Sequence, residues 1–98
     1  MDNRLQGIKE IISPIASEYG VKAVYLFGSY ARNQATASSD YDFYIDKGAI
    51  RNLFQMAGFR LALEKALQIP VDIVTNGVRD MKLLSEIEKD KVLLYEAS

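Results

Sequence analysis

Three aspartates and a Gly-Ser pair are the residues of this chain whose types and spacing could do chemistry. Asp40 and Asp42 stand one residue apart in SSDYDFYID. On an extended segment, residues two apart share a face with Cα atoms roughly 7 Å apart. Carboxylates held that close repel each other. A hard divalent cation removes the repulsion, and Mg²⁺ prefers a few carboxylates completed by waters and phosphate oxygens. Taken alone, the pair reads first as a solvated polar strand edge. Asp72 shifts the balance, because it sits inside the apolar run VDIV, where a charge needs a partner. If its strand lies beside that of Asp42, Asp40, Asp42 and Asp72 can hold two cations about 3.5–4 Å apart, an arrangement suited to in-line phosphoryl or nucleotidyl transfer. One cation would activate an attacking hydroxyl, with Asp72 as base or ligand. The other would neutralise a triphosphate and its leaving pyrophosphate.

Gly28 and Ser29 follow an apolar run and precede Tyr30-Ala31-Arg32. Glycine lets backbone approach a ligand closely. Free N–H groups at a helix start favour an anion, and the Ser29 hydroxyl adds a donor for a phosphate oxygen. On its own a Gly-Ser after a strand reads as a strand-ending turn. Arg32 is placed either to touch phosphate or to balance charge in the loop. Asp46 shares the face of Asp42 but lies roughly 13 Å further along the strand, and reads as a solvated residue. Glu64 reads as exposed on a helix. Tyr44 faces the site side and can simply cover a sheet.

The elements that must position these residues are legible from periodicity. Apolar residues from Leu5 to Tyr19 recur at spacings of three and four, which predicts a helix over 3–19. Pro14 predicts a kink or restart there, with Ser13 as N-cap, and Gly20 ends the helix. Residues 21–27 read as a strand covered on both faces. Residues 40–46 read as a second strand, with Asp40, Asp42, Tyr44 and Asp46 on one face and Tyr41, Phe43 and Ile45 in the core. A helix is expected over 49–68 with two apolar stripes. Ile50, Leu53, Phe54, Ala57 and Leu61 form one; Met56, Phe59, Leu63 and Leu67 form the other. One suits the core and the other core or partner equally. Gly58 inside it marks a close helix approach. Residues 71–75 make a third strand, 79–89 a helix and 92–95 a last extended segment. The expectation is one domain over 1–98, of mixed α/β (α+β) class, with helices packed on one face of a small sheet and the acidic face left as a cleft.

Composition narrows the function further. Among 98 residues there is no cysteine and no histidine. That excludes disulfides, thiol nucleophiles, imidazole bases and zinc-finger sites, and leaves carboxylates, hydroxyls, Lys, Arg or a hard cation. Twelve Lys and Arg against thirteen Asp and Glu give a net charge of −1. Direct nucleic-acid binding through a clustered basic surface is therefore not expected. The N-terminus carries no signal-peptide run, and no apolar stretch approaches the roughly 20 residues of a membrane span. A cytoplasmic protein with a small-molecule or protein partner is the expectation.

Assembled, the motifs resemble the minimal nucleotidyltransferase (MNT) family of the DNA polymerase beta superfamily. That family's pattern is G-S-x-A-R-G, a short loop, S-D-x-D, then a later single Asp on a strand. The chain carries Gly28-Ser29-Tyr30-Ala31-Arg32, then Ser39-Asp40-Tyr41-Asp42, then Asp72. It departs at Asn33, where the family usually has glycine, and Asn tolerates a left-handed conformation. The resemblance implies a nucleotidyltransferase sheet with flanking helices. Gly28 and Ser29, with Arg32, would bind the triphosphate of an ATP substrate, and Asp40, Asp42 and Asp72 would hold Mg²⁺. It also implies an antitoxin of a HEPN–MNT pair, transferring AMP from ATP to a tyrosine of a HEPN ribonuclease toxin. Two other readings stand beside it. One is a non-catalytic module that neutralises its partner by covering it, through the 49–68 helix. The other is a transferase acting on a small molecule, disfavoured by a length that leaves no room for an acceptor domain.

Overall fold

The computed structural model describes residues 3–98. Its elements run α1 (Asn3–Tyr19), β1 (Ala23–Phe27), α2 (Gly28–Ala31), β2 (Tyr41–Asp46), α3 (Leu53–Leu67), β3 (Val71–Thr75), α4 (Met81–Asp90) and β4 (Val92–Glu96). The four strands form one sheet in the order β3-β2-β1-β4. β1 pairs antiparallel with both β2 and β4, whereas β2 and β3 are parallel. A parallel pair cannot be joined by a tight turn, and α3 supplies the crossover. The mixed α/β class expected from the sequence is the class observed.

The core lies between the sheet and the α1–α3 layer. Val24 and Leu26 of β1, Phe43 and Ile45 of β2 and Val71 of β3 are buried with Ile12 of α1 and Phe59 and Leu63 of α3. Because strand side chains alternate, the intervening Phe27, Asp42 and Asp72 face the other side. Residues 21–27 continue the ladder at their start through Lys22, whose N–H donates to the Asp46 carbonyl, although regular strand begins at Ala23.

Two helix expectations need correction. Pro14 does not restart α1, which runs unbroken through it. Ser13 is not an N-cap: its Oγ donates to the Lys9 carbonyl at 2.6 Å. Proline removes one helical N–H, but Ile8, Ile12 and Ala16 still bury one continuous face. The second correction is that α3 begins at Leu53 rather than at 49. Asn52 is extended, and its side chain accepts from the Gln55 N–H at 2.8 Å. Ile50 is therefore no part of a helical stripe and reaches the core from the preceding turn. The stripes themselves separate cleanly: Phe59 and Leu63 are buried, while Leu53, Phe54 and Leu61 are 86%, 91% and 63% exposed. Gly58 does mark a close approach, since a Cβ there would lie 3.2 Å from the Tyr19 hydroxyl of α1.

Candidate active site

β1 ends by delivering Gly28 to the top of the sheet. The turn into α2 needs φ +76 at Gly28, and a Cβ at that position would overlap the Asp42 carboxylate and lie 3.1 Å from its Cγ. Only glycine lets that carboxylate and the turn backbone share the space. α2 then closes on Asn33, whose φ of 59 is the left-handed conformation that asparagine tolerates. Asn33 N–H donates to the Tyr30 carbonyl and Gln34 N–H to the Ser29 carbonyl. The residue standing where the resemblance leads one to look for glycine thus makes the turn.

Beyond the turn, Ser39 organises the approach to β2. Its N–H donates to the Thr36 carbonyl, and its Oγ accepts from the Thr36 N–H at 2.8 Å. Asp40 lies immediately before β2, and Asp42 is its second residue. Asp42 is in register with Phe27 on one side and with Asp72 on the other. Neighbouring strands lie about 4.8 Å apart, so Asp42 sits between the Gly28 turn and Asp72. Among the described residues, the Asp40, Asp42 and Asp72 carboxylates and the Ser29 hydroxyl make no hydrogen bond within the chain.

The electrostatics follow from this placement. Burial pushes the Asp42 carboxyl above its ordinary value, Asp72 and then Asp40 push it further, and Arg32 pulls the other way. Like charges around a half-buried carboxylate disfavour its ionised form. Asp42 thus stands at the electrostatic centre of the three acids. Among the described residues no three acidic side chains converge into a ready-made metal cage. Hard oxygen donors that lack protein partners are nonetheless the donor set Mg²⁺ uses, and it completes its shell with waters and phosphate.

An open cleft of ≈ 500 Å³ lies over this face, lined by Phe27, Gly28, Ser29, Arg32, Asp42 and, from α4, Glu86, Lys89 and Asp90. Four of the six residues singled out from the sequence line it; Asp40 and Asp72 flank Asp42 instead. The α4 contribution was not read from the sequence. α4 packs on α2 and β1, with Asp80 as its N-cap accepting from the Lys82 and Leu83 N–H groups. The Glu86, Lys89, Asp90 spacing of three and four is the signal that identifies a shared polar face. Arg32 is held by that face: its Nη1 donates to Asp90 Oδ2 at 2.6 Å and its Nε to Gln34 Oε1 at 3.1 Å.

Three neighbouring residues fall outside the site. Asp46 accepts weakly from the Gly48 N–H and lines a separate hollow with Lys22 and Tyr25. Tyr44 covers the sheet against Tyr25, with ring centroids 6.0 Å apart. Glu64 is not a free surface residue, a correction to its expected role. It accepts the Val71 N–H at 2.9 Å and pairs with Arg60 at 3.8 Å, which anchors the start of β3.

Comparison with known proteins decides the family. Residues 9–98 match the family model described as Polymerase beta, Nucleotidyltransferase. The chain belongs to this nucleotidyltransferase family. Protein adenylyltransferase MntA of Thermococcus cleftensis is 32% identical over 74 residues, covering 71% of this chain and 75% of that relative. The crystal structure of a toxin–antitoxin with AMP-PNP superposes with a TM-score of 0.76 at 20% identity, over 92% of this chain and 74% of that one. A tri-AMPylated Shewanella oneidensis HEPN toxin in complex with its MNT antitoxin gives a TM-score of 0.71 at 20% identity, over 95% and 73%. At that identity both structures speak for the nucleotidyltransferase fold alone. Among the described residues, no helix is long and apolar enough to cross a membrane.

Proposed function

We propose that this nucleotidyltransferase transfers AMP from ATP to a protein acceptor, a tyrosine of a HEPN-type ribonuclease toxin, and silences that toxin as its antitoxin. One observation carries the reading: the Gly28-Ser29 turn and the Asp42 carboxylate meet in one open cleft, with Asp72 in register beside Asp42. The names of the MntA relative and of the AMPylated HEPN complex support the choice of donor and acceptor. ATP makes the cytoplasm the place of reaction.

Gly28 backbone and the Ser29 hydroxyl would hold the triphosphate, with Arg32 released from Asp90 toward it. Asp40, Asp42 and Asp72 would hold Mg²⁺, which supplies charge neutralisation for the triphosphate and a more acidic acceptor hydroxyl. The acceptor oxygen bonds to the α-phosphorus as the bond to the bridging oxygen breaks, and pyrophosphate leaves. The hydroxyl proton passes to Asp72, which is exposed and able to return it to solvent.

The test uses ATP labelled at the α-phosphate, Mg²⁺ and the protein encoded by the neighbouring reading frame. Label should appear on a tyrosine of that protein. Asp42→Asn should lower transfer by about a hundredfold or more, as expected when a metal-binding carboxylate is removed. Transfer unchanged by Asp42→Asn would refute the assignment. The exposed apolar side of α3 favours a second reading, neutralisation by coverage. It would gain if Asp40→Asn/Asp42→Asn still protected cells from the toxin.

A further inference from the structure

The edge of β3 opposite β2 is left open, and it adjoins the site. In this parallel pair Tyr41 N–H donates to the Pro70 carbonyl and Asn76 N–H to the Ile45 carbonyl. Residues 70, 72, 74 and 76 therefore address β2, and residues 71, 73 and 75 turn their backbone groups outward. Glu64 takes the Val71 N–H, and the Thr75 carbonyl receives the Val78 N–H. Among the described residues, both polar groups of Ile73 and the Thr75 N–H remain without a partner. Exposed edges are usually guarded by proline, a bulge or an inward-pointing charge. Proline stands only before the strand, at Pro70, and the one charge within it, Asp72, lies on the face shared with Asp42, so neither covers the Ile73 and Thr75 backbone groups. The opposite edge differs, because the β1–β4 pairing shifts register between Val24 and Tyr25.

Beside this edge runs a trough between β3 and α3. Two hollows of ≈ 420 Å³ and ≈ 300 Å³ share Leu53, Met56 and Thr75 as walls. The larger reaches Asp72. Its floor is apolar, and its rim carries Arg60, with Lys47 and Arg51 along the smaller hollow. The trough is thus shaped for apolar side chains, with Asp72 at one end and the positive charges of Lys47 and Arg51 at the other.

We infer that the acceptor protein docks as an extended, acidic-flanked segment that adds to the β3 edge, placing its acceptor tyrosine beside Asp72 and the residues on either side of that tyrosine in the α3–β3 trough. The inference rests on the protein-acceptor reading above and names how the acceptor enters. Alternate residues of an added strand point to opposite faces. Those on the side of Val71 and Ile73 enter the trough against Leu53, Met56 and Ala57. Those on the other side share the face of Asp72 and Asp42. The main chain supplies affinity by β-strand addition, and the trough supplies selectivity. The acceptor hydroxyl is therefore expected between two apolar residues, with Asp or Glu further along to meet Lys47 and Arg51.

Two exposed substitutions test this without touching the cleft. Ala57→Glu and Leu53→Asp each place a negative charge in the trough at a surface position of α3. Each should lower labelled-AMP transfer to the neighbouring-frame protein by about tenfold or more, the loss expected at an interface hot spot, while leaving the affinity for AMP-PNP unchanged. Hydrogen exchange at the Ile73 amide should slow when the acceptor protein is added to the unsubstituted chain. Full transfer by both variants, or an Ile73 amide that exchanges equally fast in the complex, would overturn the docking mode alone. No transfer by the unsubstituted chain, despite AMP-PNP binding, would overturn the protein-acceptor reading and this inference with it.

Discussion

Replacing Gly28 by alanine tests how the site is built. The positive φ costs a side chain about 1–2 kcal/mol. Restricting the unfolded chain returns about 0.4–1 kcal/mol of that. The new Cβ also meets Asp42, lying 3.1 Å from its Cγ and 3.3 Å from its Cβ, and crowding of this kind costs about 1–3 kcal/mol. The net is a loss of about 3 kcal/mol, which for a domain of this size lowers Tm by roughly 12–24 °C. The crowding part belongs to Asp42 and the dihedral part does not. Thermal melts of Gly28→Ala, Asp42→Ala and the double variant, followed by circular dichroism, separate them. In the Asp42→Ala background Gly28→Ala should cost about half as much, because the carboxylate clash is gone and only the dihedral strain and the 3.3 Å contact with the Cβ of residue 42 remain. Equal Tm losses in both backgrounds would refute the claim that Gly28 exists to admit the Asp42 carboxylate.

Asp42→Asn should raise Tm at neutral pH in metal-free buffer, since it removes a charge that burial, Asp72 and Asp40 all disfavour. The sign follows from linkage. The folded chain binds the Asp42 proton more tightly than the unfolded chain, so the unsubstituted protein gains stability as pH falls through the raised pKa toward 3.8, and the advantage of Asn shrinks accordingly. Melts at several pH values check this, and an Asn variant that melts lower at pH 7 contradicts it. Asn52→Ala should lose the cap on the Gln55 N–H and cost about 1 kcal/mol, seen as a lower denaturation midpoint; an unchanged midpoint would mean that Leu53 starts the helix unaided.

Strand positions and the faces they present were legible because period-two patterning is local: Tyr41, Phe43 and Ile45 point inward as their types require. The carboxylates were legible for the same reason, since Asp72 breaks an apolar run that nothing else explains. What stayed hidden depends on tertiary pairing. Glu64 looks like any exposed helical acid until β3 brings the Val71 N–H to it. The α4 wall of the cleft is invisible because Arg32 and Asp90 lie 58 residues apart. Pro14 misled in the opposite direction. Its local penalty is real, but the burial of Ile8, Ile12 and Ala16 on either side of it holds the helix together.

The pairing of β1 with β4 has a consequence in time. The Gly28 turn hangs from β1, whose outer edge is completed by residues 92–96, and its cleft is walled by α4. A ribosome that has emitted residues 1–80 has already produced all three carboxylates, but neither the wall nor the strand that steadies the turn. Closing contacts of such sequence separation is slow relative to local structure. On the proposed reading, competence to grip a nucleotide arrives last, and a chain ending at residue 80 is expected not to bind AMP-PNP although it carries Asp40, Asp42 and Asp72.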